Sequence, residues 1–174
     1  MLAPSTVRTT AVQMGPGNGP QIEPLATPLL NLVGGAIGAF LTTLVVGAIL
    51  VAVAPDYTEG KMASLLDEPV SAFIYGFVSL IFFALVIFVL VVTIIGILVA
   101  VPLVLVVYVV WAVGAAIAFL AIADRVVGHD DGWVKPLVVG AGINGALTLT
   151  GLGGIVTFAI GAAGFGAVLR DYLG

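Results

Sequence analysis

The chain has 174 residues, of which 61% are hydrophobic and 8% charged, and five basic against nine acidic side chains leave a net charge of −4. A soluble domain carries about 25% charged residues, so this surface is too poor in charge to face water and most of it must face lipid. Scattered basic residues exclude nucleic acid, which needs clustered Lys and Arg, and the lack of Cys removes thiol and iron–sulfur chemistry. The acidic balance suits a salt-adapted prokaryote.

Residues 1–27 contain GPGNGP (Gly15 to Pro20) together with Pro4 and Pro24. They lack the basic start and contiguous apolar core of a secretory signal and read as a flexible tail. The first apolar run, 28–54, is charge-free and long enough for one pass, since about 20 helical residues cross a bilayer core. Pro28 suits the first helical turn, where its missing N–H is harmless. Gly34 and Gly38 form GxxxG on one helix face, which reads either as a helix-packing seam or as the chance spacing of a common residue.

The next stretch, Pro55 to Pro69, holds Asp56, Glu59, Lys61, Asp67 and Glu68. Its apolar Met62, Leu65 and Leu66 fall at i, i+3 and i+4, the spacing of a short amphipathic helix at a membrane surface; a solvated loop is the competing reading. Residues 70–123 then carry no charge. As one helix they would extend ~81 Å at 1.5 Å per residue, against ~30 Å of hydrocarbon, so two passes are predicted, about 70–93 and 97–123. The reversal falls at Thr93 to Gly96. Gly96 is placed to close a helix with positive φ, and the Thr93 hydroxyl to bond a nearby backbone group. Pro102 follows in the first turns of the next helix, or kinks it. Irregular backbone at such depth survives only where protein or water satisfies it, so the turn is expected to be short and tightly wound.

Asp124 to Pro136 is a polar link with Trp133 at an interfacial position. The last apolar run, 137–169, has a middle, TLTGLGGIV, that is poor helix material because each Gly costs ~1 kcal/mol against Ala. One long tilted helix and two segments, about 137–149 and 155–170, compete; the break at Gly151, Gly153 and Gly154 is favoured. Broken helices frame binding sites in some transporters, and tight packing explains the same glycines. Counting basic residues over four crossings puts Arg8 and Arg170 on one side and Lys61, Arg125 and Lys135 on the other, a slight bias towards cytoplasmic loops.

No catalytic constellation emerges. His129, Asp130 and Asp131 are adjacent, but neighbouring side chains converge poorly and zinc normally takes three or four ligands, so a solvated turn is expected and no metal or other cofactor. The apolar runs contain no charged residue of the kind that ion-coupled transport relies on. Asn144 stands well inside the last run and must face another helix, since an unsatisfied amide in lipid is costly; it reads as interhelical glue or as a contact for a neutral solute.

Pro69, Gly76, TIIGI (Thr93 to Ile97), Pro102 and GFGAVLRD (Gly164 to Asp171) together resemble a multi-pass membrane domain of unknown function, found in bacteria and archaea and often C-terminal to bactofilin-like polymer-forming domains. The similarity covers about residues 28–171. Members of that family usually carry Pro directly after Gly-Ile, where this chain has Leu98 and delays the proline to Pro102. The resemblance implies a membrane anchor or scaffold; a 27-residue tail cannot hold the polymerising β-helix. The expectation is therefore an all-α, polytopic transmembrane bundle of about four segments. It is not expected to be an enzyme, and its partners are the lipid bilayer and either a second copy or another membrane protein. A small oligomeric channel or transporter for neutral or weakly polar solutes is the alternative.

Overall fold

The computed structural model describes residues 23–150 and 153–173; the tail before Glu23 and Gly151 at the expected break lie outside the described residues. Six helices follow in order: α1 (Glu23–Val53), α2 (Pro55–Asp67), α3 (Pro69–Val91), α4 (Ile94–Val127), α5 (Val134–Leu149) and α6 (Gly153–Leu173). Four contain segments long and apolar enough to cross a membrane, Pro28–Val53, Pro69–Val91, Ile94–Val127 and Gly153–Arg170. The fold is an all-α polytopic transmembrane bundle. The last apolar run is two helices, as favoured from its glycines. α4 continues to Val127 and α5 begins at Val134, so the polar link shrinks to a few residues.

Large apolar side chains are exposed along most of α1, α3 and α4, as a lipid solvent requires. The buried core is instead built from small residues and a few large ones, with Phe119, Phe165, Ile117 and Leu120 almost fully enclosed. At its centre α6 lies in contact with α3 and α4. A Cβ on Gly166 would stand 1.9 Å from the carbonyl oxygen of Ala72, and one on Gly76 would stand 1.9 Å from that of Ala162. A Cβ on Gly164 would likewise lie 1.9 Å from the Gly114 oxygen. Backbones therefore touch along a seam of small residues, the arrangement that maximises dispersion contact where no hydrophobic force drives helices together. Gly34 and Gly38 take no part in it: a Cβ on either would meet nothing within 4 Å.

The helix over 55–67 forms, but its apolar face does not rest on lipid. Thr58, Lys61, Met62 and Leu65 are buried against the end of the bundle, and Met62 and Leu65 join a core cluster with Leu120, Ala121 and Val168. The Lys61 ammonium lies 5.5 Å from the centre of the Tyr57 ring, a cation–π distance. The Glu68 carboxylate accepts a 2.6 Å hydrogen bond from Arg170, tying the α2–α3 corner to the end of α6. Because the last run is broken, Arg170 stands at the same end as Lys61, Arg125 and Lys135, rather than opposite them as four crossings would place it.

The charge-free reversal is made by two residues. Thr93 donates both its backbone N–H and its hydroxyl to the Leu90 carbonyl, each at 3.1 Å, while its Oγ1 accepts the Gly96 N–H at 3.0 Å. One side chain thus supplies a C-cap and an N-cap at once. Gly96 does not act through positive φ, which among the described residues is confined to Gly128 and Gly132. It is needed because a Cβ would sit 2.0 Å from the Leu90 oxygen. Pro102 lies inside α4, which runs on as one helix; its missing N–H leaves the exposed Leu98 without a helical donor.

Candidate functional site

Helices α1 and α5 pack antiparallel, with Asn144 of α5 placed against Ala39 and Thr43 of α1. Asn144 Nδ2 donates to Thr43 Oγ1 at 2.7 Å and to the Ala39 carbonyl at 3.3 Å. Both residues are more than nine-tenths buried, Asn144 at 7% and Thr43 at 6% exposure. The amide therefore joins α5 to α1, with Thr43 as a partner that no local spacing revealed. Thr148 one turn on bonds back to the Asn144 carbonyl at 2.8 Å, which keeps its own hydroxyl satisfied within α5.

The joint is incomplete on one side. Asn144 Oδ1 and Thr157 Oγ1 are buried and have no hydrogen-bond partner. Their residues border one cavity of about 380 Å³ between α1, α4, α5 and α6, whose wall includes Thr42, Thr43, Tyr108, Trp111 and Phe119. Tyr108 and Thr42 are also exposed, so the cavity opens sideways between α1 and α4. Thr157, in the first turns of α6, does not make the usual hydroxyl bond to a carbonyl one turn earlier. A buried polar atom without a partner costs roughly 1–3 kcal/mol, so these two are a local cost in the packing of α5 and α6.

The turn above this cavity repeats the chemistry of the first. Thr150 donates its N–H at 3.0 Å and its hydroxyl at 2.8 Å to the Leu147 carbonyl, and its own carbonyl accepts the Gly153 N–H at 2.9 Å. A Cβ on Gly153 would stand 1.4 Å from the Leu147 oxygen. Gly154, by contrast, is exposed and meets nothing within 4 Å. Of the glycines singled out from the sequence, Gly96 and Gly153 serve turns, whereas Gly34, Gly38 and Gly154 face outward; Gly38 borders the cavity.

At the charged end, His129 Nδ1 lies 2.6 Å from Asp124 Oδ1, and its ring stacks on Trp133 with centres 4.5 Å apart. The hydrogen bond to Asp124, more than any other influence, raises the His129 pKa above its ordinary 6.5. Asp131 pairs with Lys135 one turn along. Among the described residues no group of three or more His, Asp and Glu comes together to hold a metal.

No curated protein and no solved structure matches the chain. A family model described as a domain of unknown function, DUF8173, matches residues 2–174. Since that match covers nearly the whole chain, the protein belongs to the DUF8173 family.

Proposed function

We propose that this chain is a non-enzymatic integral membrane protein that anchors or scaffolds through helix contacts within the bilayer. The supporting observation is the free end of the α3–α4 hairpin, where Ile94 is 90% and Ile95 83% exposed on a turn with no charge. Such a tip is stable at the lipid headgroup boundary or against another membrane protein, and not in bulk water. The open GxxxG face of α1 offers a second helix the close approach that the chain itself leaves unused. Lys61, Arg125, Lys135 and Arg170 share one end, which by the positive-inside tendency is cytoplasmic.

A photo-crosslinking residue at Gly34 or Gly38, in cells, is expected to trap a protein partner or a second copy. If neither position captures protein under any growth condition, the scaffold reading fails. The second reading, a small channel or transporter for neutral solutes, is favoured by the α5–α6 break beside the Asn144 cavity. Liposomes holding the purified protein that pass no neutral solute would remove it.

A further inference from the structure

In the charged half of the bundle α6 lies between α3 and α4, meeting α3 at Ala162 and Gly166 and α4 at Gly164. Ala159 and Ala163 fall on the line between those two contacts, and their small side chains set the α6 surface back from its neighbours. The result is a groove of about 370 Å³. Ala159 and Ala163 form its floor, Phe73 of α3 and Ile122 of α4 flank it, and Leu66 of α2 closes its charged end. No polar side chain borders it. Beyond that end the chemistry changes. Arg170 stands seven residues after Ala163, on the same face of α6 and about 10 Å further along at 1.5 Å per residue. Its guanidinium donates to Glu68 at 2.6 Å, and a guanidinium holds five N–H donors in a fork. The two side chains are 42% and 55% exposed, so a headgroup reaches them without opening the bundle. A shallow depression carrying Asp67, Glu68 and Ser71 shares Pro69 and Val70 with the groove. The polar corner and the apolar groove are therefore continuous.

We propose that this groove and its corner bind one phospholipid of the leaflet at the charged end, with a zwitterionic amino-phosphate headgroup. One acyl chain lies on Ala159 and Ala163 between Phe73 and Ile122. The phosphate accepts from the remaining N–H groups of Arg170, and the ammonium donates to Glu68 and Asp67. The order of charges selects this headgroup. A purely anionic lipid would satisfy Arg170 but set its charge beside two carboxylates, and a purely cationic amphiphile would satisfy the carboxylates but face Arg170 with like charge. A bare hydrocarbon would fill the groove and leave the corner unused. The site is independent of the scaffold reading, since it uses neither the outer face of α1 nor the hairpin tip.

Native mass spectrometry tests this on the intact protein in detergent. The protein is titrated with phosphatidylethanolamine or with phosphatidylglycerol of identical acyl chains, and the dissociation constant of the first bound lipid is read for each. The first phosphatidylethanolamine is expected to bind about 10-fold more tightly than phosphatidylglycerol, the worth of one charge-assisted hydrogen bond. R170Q, a change at an exposed side chain, is expected to weaken phosphatidylethanolamine by about 10-fold. D67N/E68Q is expected to abolish the preference, by tightening phosphatidylglycerol and weakening phosphatidylethanolamine. A163L fills the groove floor and is expected to lose the tight first lipid whatever its headgroup; if A163L does not fold, R170Q and D67N/E68Q decide. Equal constants for the two lipids in the parent identify ordinary boundary lipid and overturn the proposal. So does an R170Q or D67N/E68Q protein that behaves as the parent, or a folded A163L protein that keeps the tight site.

Discussion

The two helical hairpins turn on one frame, Leu90-x-x-Thr93-x-x-Gly96 and Leu147-x-x-Thr150-x-x-Gly153. In both, the Thr N–H and hydroxyl converge on the Leu carbonyl, and the Gly lacks a Cβ because that same oxygen fills its place. They differ in reach. Pairing of Gly76 with Ala162 and Ala72 with Gly166, carried along α3, sets Gly153 opposite Leu85, so α3 extends about 9 Å beyond α6 at 1.5 Å per residue. The parallel pairing of Gly114 with Gly164 sets Gly153 opposite Leu103, giving α4 an excess of about 14 Å. The first turn thus reaches the far end of the bundle, and the second stops inside it, directly above Asn144 and Thr157. A turn that satisfies its own backbone can be placed at either depth. What fixes the depth is the register in which small residues let α6 settle against α3 and α4.

The contrast in reach is the boldest thing to test. Because the protein has no Cys, single cysteines at Ile95 and Thr150 can be probed in the otherwise native chain in liposomes. A water-soluble maleimide is expected to label the Ile95 variant and to leave the Thr150 variant unreacted over the same period; equal labelling breaks the comparison. Next come the turn glycines. G153A is expected to lose about 3 kcal/mol or more and G96A somewhat less, the upper range for overpacking, because the clash distances are 1.4 and 2.0 Å. Thermal unfolding in detergent would read the order. The seam glycine variant G166A, whose Cβ would stand 1.9 Å from the Ala72 oxygen, is expected to fall beside G96A, while G34A, with open space around it, stays within about 0.5 kcal/mol.

The hydroxyls come below these. T93V and T150V each remove a side-chain bond to a Leu carbonyl, worth about 1 kcal/mol. T93V is expected to cost more, since Gly96 N–H loses its acceptor as well; unfolding midpoints that coincide would show the two turns to be energetically alike. The smallest effect lies away from both turns. The raised His129 pKa means that the protonated form is held by the fold. Its contribution is complete below about pH 6.5 and disappears as the pH rises through the higher folded value. With the His129 side chain 43% exposed, solvent screening limits it to a few tenths of a kcal/mol. The stability difference between the parent and D124N should be present at pH 5.5 and absent at pH 9.

The sequence carried the reversal at Thr93 because a long charge-free run cannot be one helix in a bilayer and only one place offered a cap. It carried the α5–α6 break through the glycines and threonines clustered in TLTGLGGIV, which are poor helix material. The Leu-x-x-Thr-x-x-Gly repeat was an available signal for both turns. Gly34 and Gly38 drew attention through spacing, yet the spacing of one helix says nothing of which helix meets it. The pairs that do meet, Ala72 with Gly76 and Ala162 with Gly166, have the same small-residue spacing on two helices. Thr43 and Thr157 gave no local sign at all. A lone Thr in an apolar helix normally bonds its own backbone, and only its neighbours reveal when it does not.

What the linear chain determined was local and compositional: which stretches prefer hydrocarbon, how many crossings their lengths allow, and where a backbone can reverse with its own side chains as caps. Those follow from transfer free energy and hydrogen-bond satisfaction, which act within a few residues. The tertiary structure alone decided which glycines touch, that α2 closes the bundle end instead of lying on the membrane surface, and that two buried polar atoms are left without partners. Those depend on the relative register of helices far apart in the chain, and register is set by contacts that exist only once the helices have met.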